Sequence, residues 1–340
     1  MFYKSAELHN VAELIAAEEG AGDLPVRIPD ALRMKLNQNA RDNAIQSAGC
    51  EVRFNLSSES AEVILVARVP NAWHVTCPVA EVYQGCFQTG WQAIGPEPTV
   101  VEVVKPAQQD RLRQLSREHE MPFDADLTRV VLPYRPPVRL MDVQGEVTPP
   151  RPEQVPDETC LAYGSSITHG HASVRPTGTW AMQTASKLGV DLVNLGFGGG
   201  AHLEPEMADY IAEREGWDFA SLELGINRLS EWSSRRFTER VDYFVERIAS
   251  AHPEKWIFCI DMFTFLHEEL MECEQKKEFR RIVREKIDAL NMPRVVHVDG
   301  TQLLPEATGL TSDLVHPSPA GMDTISDNLS RIIDEFLSTS

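Results

Sequence analysis

The sequence predicts two domains, an N-terminal β-sandwich and a doubly wound, mostly parallel five-stranded α/β sheet, and three observations carry that prediction. Before residue 147 the apolar residues fall into short β-branched runs with few helical stretches between them. After residue 158, five such runs alternate with stretches of helical period. Between the two lies VTPPRPEQVPDE (147–158), with four prolines in twelve residues and no apolar periodicity, the composition of a stiff extended connector. The expected division is 1–148, a Pro-rich linker at 149–157, and 158–340. At 340 residues, each part is long enough to bury its own core.

In the first part the strand-like runs are CEVRFNL (50–56), AEVILVARV (61–69), AEVYQGCFQ (80–88), TVVEVV (99–104), RVVLPY (129–134) and VRLMDV (138–143). Residues 29–41 begin with a proline and suggest a short helix. Residues 107–119 are polar and suggest an exposed helical insertion. In the second part the strands expected are 159–164, 190–196, 219–225, 256–263 and 294–300. Helical faces are marked by Trp180, Thr184 and Leu188, by Phe237, Val241, Phe244 and Ile248, and by Phe279, Ile282, Val283, Ile287 and Leu290. A last helix stacks Met322, Ile325, Leu329, Ile332 and Phe336. Ligands of such sheets bind beyond the carboxyl ends of the strands, which directs attention to the loops after residues 164, 196 and 225.

Composition narrows the function. A formal net charge of −19 repels nucleic acid and anionic membranes. No apolar run approaches the ~18 residues that span a bilayer, and MFYKSAELHNVAELIAAEEG lacks the apolar core of a secretory signal, so a cytoplasmic location is expected. Six cysteines, at 50, 77, 86, 160, 259 and 273, form no CxxC pair and read as buried or incidental thiols.

Four segments hold residues with chemistry. In YGSSITHG (163–170) a strand runs into Gly164, Ser165 and Ser166, a turn that lifts a hydroxyl off the sheet edge; taken alone, a capping turn explains it as well. In NLGFGGGAHLEPE (194–206) three consecutive glycines let the backbone approach a ligand and offer N–H groups to an anion. Gly196, Gly198 and Ala201 also fit a loose GxGxxA dinucleotide pattern. That competitor is weakened because it follows the second strand, because Pro205 interrupts the phosphate-binding helix, and because only Glu223 stands as its distant acid. In LELGINRL (222–229) Asn227 ends a strand, as a turn residue or as an amide donor to an oxyanion. In TSDLVHPSPAG (311–321) Asp313 and His316 precede a helix capped by Ser318 with Pro319 at its first position. A carboxylate there can hold one imidazole nitrogen while the other faces a substrate.

In that chain order these four blocks resemble the landmarks of the SGNH hydrolase superfamily, the GDSL-like lipases and esterases, over roughly residues 158–338. YGSSITHG is similar to the G-D-S-[LI]-T-x-G block, NLGFGGG to N-x-G-x-S-G, GIN to G-x-N, and DLVHPSPAG to D-x-x-H-P-x-x-x-G. The resemblance implies Ser166 as nucleophile, His316 as base and Asp313 as its orienter. It implies an oxyanion hole from the Ser166 N–H, the Gly199 N–H (with Gly198 or Gly200 as one-residue alternatives) and the Asn227 side chain. Ser165 and Arg228 stand where the family usually has acids. Arg228 is therefore a candidate substrate contact, or points outward, and His169 and His202 are further candidate contacts. GFGGGAHLEPEMA together with the β-rich first half resembles a two-domain subset containing carbohydrate-type esterases and acyltransferases.

Neither metal nor cofactor is expected: His169, His171 and His202 match no zinc spacing. Asp261, Phe263, Phe265 and His267 are expected to shape a substrate wall, and 272–286 to be a solvated helix face. The expected activity is serine-dependent hydrolysis of a small or short-chain acyl ester, such as an acylated sugar or metabolite. Two alternatives stand beside it: acyl transfer to an alcohol by the same residues, and a non-catalytic carbohydrate-binding protein, against which the complete triad counts.

Overall fold

The computed structural model describes residues 1–17, 20–67, 78–267 and 275–339. Cys77, Cys273, the Arg68–Val69 end of the second strand-like run and residues 272–274 of the charged stretch lie outside them. Among the described residues, Cys50, Cys86, Cys160 and Cys259 are free thiols.

The first domain comprises β1 (Phe2–Tyr3), β2 (Ala6–His9), β3 (Glu13–Ala16), β4 (Asp23–Val26), α1 (Asp30–Arg33), α2 (Gln38–Ala44), β5 (Glu51–Leu56), β6 (Ser60–Ala67), β7 (Val79–Gln84), β8 (Phe87–Ala93), β9 (Thr99–Val104), α3 (Gln109–Glu118), β10 (Leu127–Val131), β11 (Val138–Gln144) and β12 (Val147–Thr148). They form two antiparallel sheets, ordered β1-β2-β5-β10-β7-β8, with β12 on β5, and β3-β4-β11-β6-β9. Alternate residues turn inward from both, so Val52, Phe54, Val82 and Val130 share one core with Val63, Leu65, Val101 and Leu140. The run 80–88 is a hairpin rather than one strand, because Gly85 turns at φ +58°, where a Cβ would sit 2.8 Å from Asp124 O. The four short strands before residue 27 carry too few apolar residues to announce themselves. Residues 29–41 enter two helices, the second capped by the Asn37 side chain.

The connector is docked rather than free. Pro152–Gln154 forms one 3₁₀ turn. The buried Gln154 pairs with Asn55 on β5 through two side-chain hydrogen bonds of 2.7 and 2.9 Å.

The second domain comprises β13 (Thr159–Gly164), α4 (Ser166–His169), α5 (Trp180–Leu188), β14 (Asp191–Gly196), α6 (Pro205–Glu213), β15 (Phe219–Glu223), α7 (Ser234–Ala251), β16 (Trp256–Ile260), α8 (Gln275–Leu290), β17 (Val295–Val298), α9 (Gly300–Leu303) and α10 (Pro319–Leu337). The five strands are parallel, in the order β14-β13-β15-β16-β17. Helices α6, α7 and α8 cover one face with Met207, Phe244 and Phe279; α5 and α10 cover the other with Trp180, Met322 and Leu329. Ile333 rather than Ile332 takes the fully buried position on α10. Pro205 opens α6 instead of interrupting it, since a proline at the first helical position forfeits no intrahelical bond. Three residues of the expected substrate wall are core: Phe263 and Phe265 are buried, and the buried Asp261 accepts from Arg280, His297 and the Gly300 N–H, while His267 is half-buried.

The chain leaves β13 first to one side, for β14, and then to the other, for β15, so the crevice of the sheet opens above the carboxyl end of β13. β14 is an edge strand, and side chains of the first domain cover it. Its Leu192 carbonyl lies 2.6 Å from His9 Nε2. Its Asn194 carbonyl accepts from Asn10 at 3.2 Å and Arg27 at 2.8 Å, and its Gly196 carbonyl accepts from Arg27 at 2.8 Å. The buried Arg27 thus spends its donors on backbone carbonyls of both domains.

Candidate active site

β13 ends at Gly164, Ser165 caps α4 through a bond from the Ile167 N–H, and Ser166 is the first helical residue. Only glycine fits at 164: a Cβ would meet Thr168 Oγ1 at 2.3 Å and Glu223 Oε2 at 2.5 Å. Glu223 ends β15 beneath this turn. It accepts from the Ser165 N–H (2.8 Å), the Ser165 hydroxyl (2.7 Å) and the Thr168 hydroxyl (2.7 Å). Burial pushes its carboxyl above the usual range, although the Ser165 and Thr168 hydrogen bonds pull the other way. The acid that the sequence lacks at 165 is thus supplied from the neighbouring strand. A carboxylate inside the otherwise apolar FASLELG was the signal for it.

Ser166 Oγ lies 2.8 Å from His316 Nε2, and His316 Nδ1 lies 2.7 Å from Asp313 Oδ2. The carboxylate only accepts, so the ring proton sits on Nδ1 and Nε2 is left to accept from the serine. The second oxygen of Asp313 accepts from Thr311 Oγ1 (2.8 Å) and from the Val315 and His316 N–H groups (both 2.9 Å). Burial works to raise the Asp313 pKa, but the His316 and Val315 N–H groups, the imidazole and the Thr311 hydroxyl outweigh it and hold the group well below the usual carboxylate range. The loop is closed by a Thr311 N–H bond to His316 O, and Ser318 caps α10 as expected.

On the other side of Ser166 lies the glycine loop, close enough that a Cβ on Gly198 would stand 3.5 Å from Ser166 Cβ. The Gly198 N–H donates to Asn43 Oδ1 and the Gly200 N–H to Phe197 O. Among the described residues the N–H of Gly199, at φ +64°, has no such partner, which singles it out from the two alternatives. Asn227 Oδ1 accepts from the Ala201 N–H at 3.1 Å, so its amide is fixed against the same loop with the NH₂ end left over. Ser166, Gly199, Asn227 and His316 are all half-buried and within reach of solvent.

Other expected contacts divide. His202 Nε2 lies 2.9 Å from Gly199 O and also contacts Arg228, which pairs in turn with Glu231. Arg228 is therefore folded back into a local cluster. His169 does not line the cleft: it is 3% exposed, with Nδ1 against Gly196 O and Nε2 against Tyr134 O, each at 3.0 Å. Burial first, and the Arg27 charge second, lower its pKa to about 3. His171, which with His169 and His202 matches no zinc spacing, lies tilted against His316 with ring centres 4.1 Å apart and meets Arg135 of the first domain at 3.1 Å. His171, Asp313 and His316 each offer a ligand atom within 4.8 Å of the others, but two of the three are already engaged with Ser166 or with each other. A cavity of about 280 Å³ lies between the domains near Tyr83, Phe123, Arg129 and Met182. None of Ser166, Gly199, Asn227, Asp313 and His316 lines it, and its buried Arg129 and Glu51 are paired with each other.

The model of the GDSL-like lipase/acylhydrolase family matches residues 158–334. No curated protein matches the chain. Among solved structures, a salicylyl-acyltransferase from a tetracycline biosynthetic pathway superposes with a TM-score of 0.79 at 19% identity, covering 98% of this chain and 95% of that one. A protein described as a GDSL-like lipase from Bacteroides ovatus gives 0.73 at 19% identity, covering 98% and 96%. A family two carbohydrate esterase from Clostridium thermocellum gives 0.60 at 15% identity, covering 86% and 94%. At these identities the likeness is one of fold, and it extends over both domains.

Proposed function

Since the chain belongs to the GDSL-like lipase/acylhydrolase family, we propose that it is a serine-dependent ester hydrolase working through an acyl-enzyme on Ser166. The observation that carries this reading is the continuous hydrogen-bonded path from Ser166 through His316 to Asp313, at 2.8 and 2.7 Å. His316 Nε2 takes the hydroxyl proton as Ser166 Oγ attacks the ester carbonyl. The resulting oxyanion accepts from the Ser166 and Gly199 N–H groups and from Asn227 Nδ2. On collapse the C–O bond to the alcohol breaks, and His316 returns the proton to the leaving oxygen. A water, deprotonated by the same nitrogen, then releases the acid and restores Ser166. A three-member relay of this kind has no use in a protein that only binds glycan.

The substrate class we favour is a short acyl ester of a sugar or small metabolite. Acyl transfer to an alcohol is the second reading, supported by the acyltransferase that overlays 98% of the chain. Labelling with a fluorophosphonate followed by peptide mapping tests the nucleophile without the natural substrate. Modification of Ser166 is expected, and modification of another residue or none would refute the reading. Adding candidate acceptor alcohols and looking for transesterified product separates the two outcomes of the acyl-enzyme.

A further inference from the structure

The glycine loop beside Ser166 is held from the other domain. Three asparagines on one turn-and-a-half of chain, Asn37, Asn39 and Asn43, each donate a side-chain amide to one of three successive glycine carbonyls. Asn43 Nδ2 reaches Gly198 O at 3.0 Å, Asn39 Nδ2 reaches Gly199 O at 3.0 Å, and Asn37 Nδ2 reaches Gly200 O at 2.9 Å. Asn43 also accepts the Gly198 N–H at 3.0 Å, so its amide pairs with that residue in two directions, as a neighbouring strand would. The helix carrying these residues is fixed in turn. Asn37 Oδ1 caps it through the Ala40 N–H, and Arg27 donates to Asn43 O while its other bonds anchor Asn194 O and Gly196 O, on the strand that feeds the loop. The glycines answer to this helix. A Cβ on Gly200 would stand 2.6 Å from Ala40 N, and one on Gly199 would stand 3.0 Å from Asn39 Nδ2.

Asparagine is a poor residue for a helix interior, because its side chain competes for backbone groups. Here the side chains serve both sides: Asn43 Nδ2 donates to Asn39 O of its own helix at 2.7 Å as well as to Gly198 O of the other domain, and Asn37 caps its own helix while reaching Gly200 O. Taking the Gly198 N–H out of play and tying down the carbonyls on each side leaves the Gly199 N–H as the loop's free donor. Donors of this type act only when their direction is set before the charge develops.

We propose that Asn43, assisted by Asn37, is a positioning residue for acyl transfer: through Gly198 and Gly200 it sets the direction of the Gly199 N–H, so that the sandwich domain completes the oxyanion hole. This deepens the serine-esterase reading and rests on it. Asn39 is exposed, and its bond contributes less.

The test uses the full chain, with p-nitrophenyl acetate turnover normalised to active sites titrated by a fluorophosphonate. Asn43→Ala is expected to lower kcat by about 10- to 100-fold with KM changed by less than about threefold, the pattern of a contact that matters in the transition state. Asn43→Asp, which keeps the acceptor for the Gly198 N–H but sets a carboxylate oxygen against Gly198 O, should recover none of that loss, and Asn39→Ala should stay within about threefold of the parent. The phosphonylation rate should fall in step with kcat, because the phosphonyl oxygen uses the same donors. An Asn43→Ala protein whose kcat per titrated site equals the parent's overturns the proposal and leaves the esterase reading intact. A parent chain that the probe does not label, or a Ser166→Ala variant with full turnover, removes the reading itself and this inference with it.

Discussion

Arg53 of the sandwich and Asp191 of the α/β domain face each other across the domain boundary through two parallel hydrogen bonds, both 2.7 Å. Arg53 also bonds Glu51, and Glu51 bonds Arg129, so four buried charges alternate in sign. Removing one member strands the others in low dielectric. Asp191→Asn is expected to cost about 3–5 kcal/mol. A urea midpoint for Asp191→Asn equal to the parent's would show that the pair is immaterial. Replacing both partners with apolar residues of similar size, as in Arg53→Met with Asp191→Leu, should recover much of the loss.

Ser166→Ala should lower kcat at least ~10³-fold with the circular dichroism unchanged. Asp313→Asn should cost about 10²–10⁴-fold, because an amide no longer fixes the proton on His316 Nδ1. Turnover of Ser166→Ala close to that of the parent would move the nucleophile elsewhere.

Asn227→Ala removes the proposed oxyanion donor and also the acceptor for the Ala201 N–H. A fall in kcat of ~10²–10³ is expected, with little change in KM. If KM rose instead while kcat held, Asn227 would be a ground-state contact.

The pH dependence of stability follows from His169. Its folded pKa, about 3, lies below the ordinary value, so the unfolded chain takes up the proton first as the pH falls. Its contribution is complete above about pH 6.5 and is lost progressively on acidification, by about 2 kcal/mol at pH 5. The buried His9 is lowered as well, by burial and then by Arg53, and adds in the same direction. Unfolding measured at pH 7 and pH 5 should give a shallower slope for His169→Gln than for the parent. Parallel slopes would mean that His169 is charged in the fold or exposed.

The second domain was largely legible, because strands buried on both faces and amphipathic helices leave strong periods in the sequence. Of the helices left unread, α6 is short and opens on Pro205, a residue that equally marks a break, and α4 and α9 are single turns of four residues. The first domain was read less well. β1 to β4 have at most four residues each, so no period develops. That Ser166, Asp313 and His316 meet, with Asn227 against the glycine loop beside them, was legible through the resemblance of four short blocks to the family's motifs. The parts that come from tertiary contact were not: Glu223 beneath Ser165, His171 on His316, and Asn43 on Gly198 pair residues far apart in the chain. The histidine at 169 illustrates the reverse. It sits three residues after Ser166, yet the helix turns it into the domain boundary, where burial first and the Arg27 charge second make a charged imidazole unfavourable.

The side-chain cover on β14 has a consequence for how this protein can be trimmed. Its alternate carbonyls at 192, 194 and 196 are met by His9, Asn10 and Arg27, not by another strand. A fragment beginning at the connector would bare that margin and invite a foreign strand, or a second fragment, to zip onto it. A shortened form of this chain should therefore keep the sandwich that holds His9, Asn10 and Arg27, whose strands pair with β5 and β11, or carry a substitute cover, and a fragment without either is expected to be recovered as aggregate.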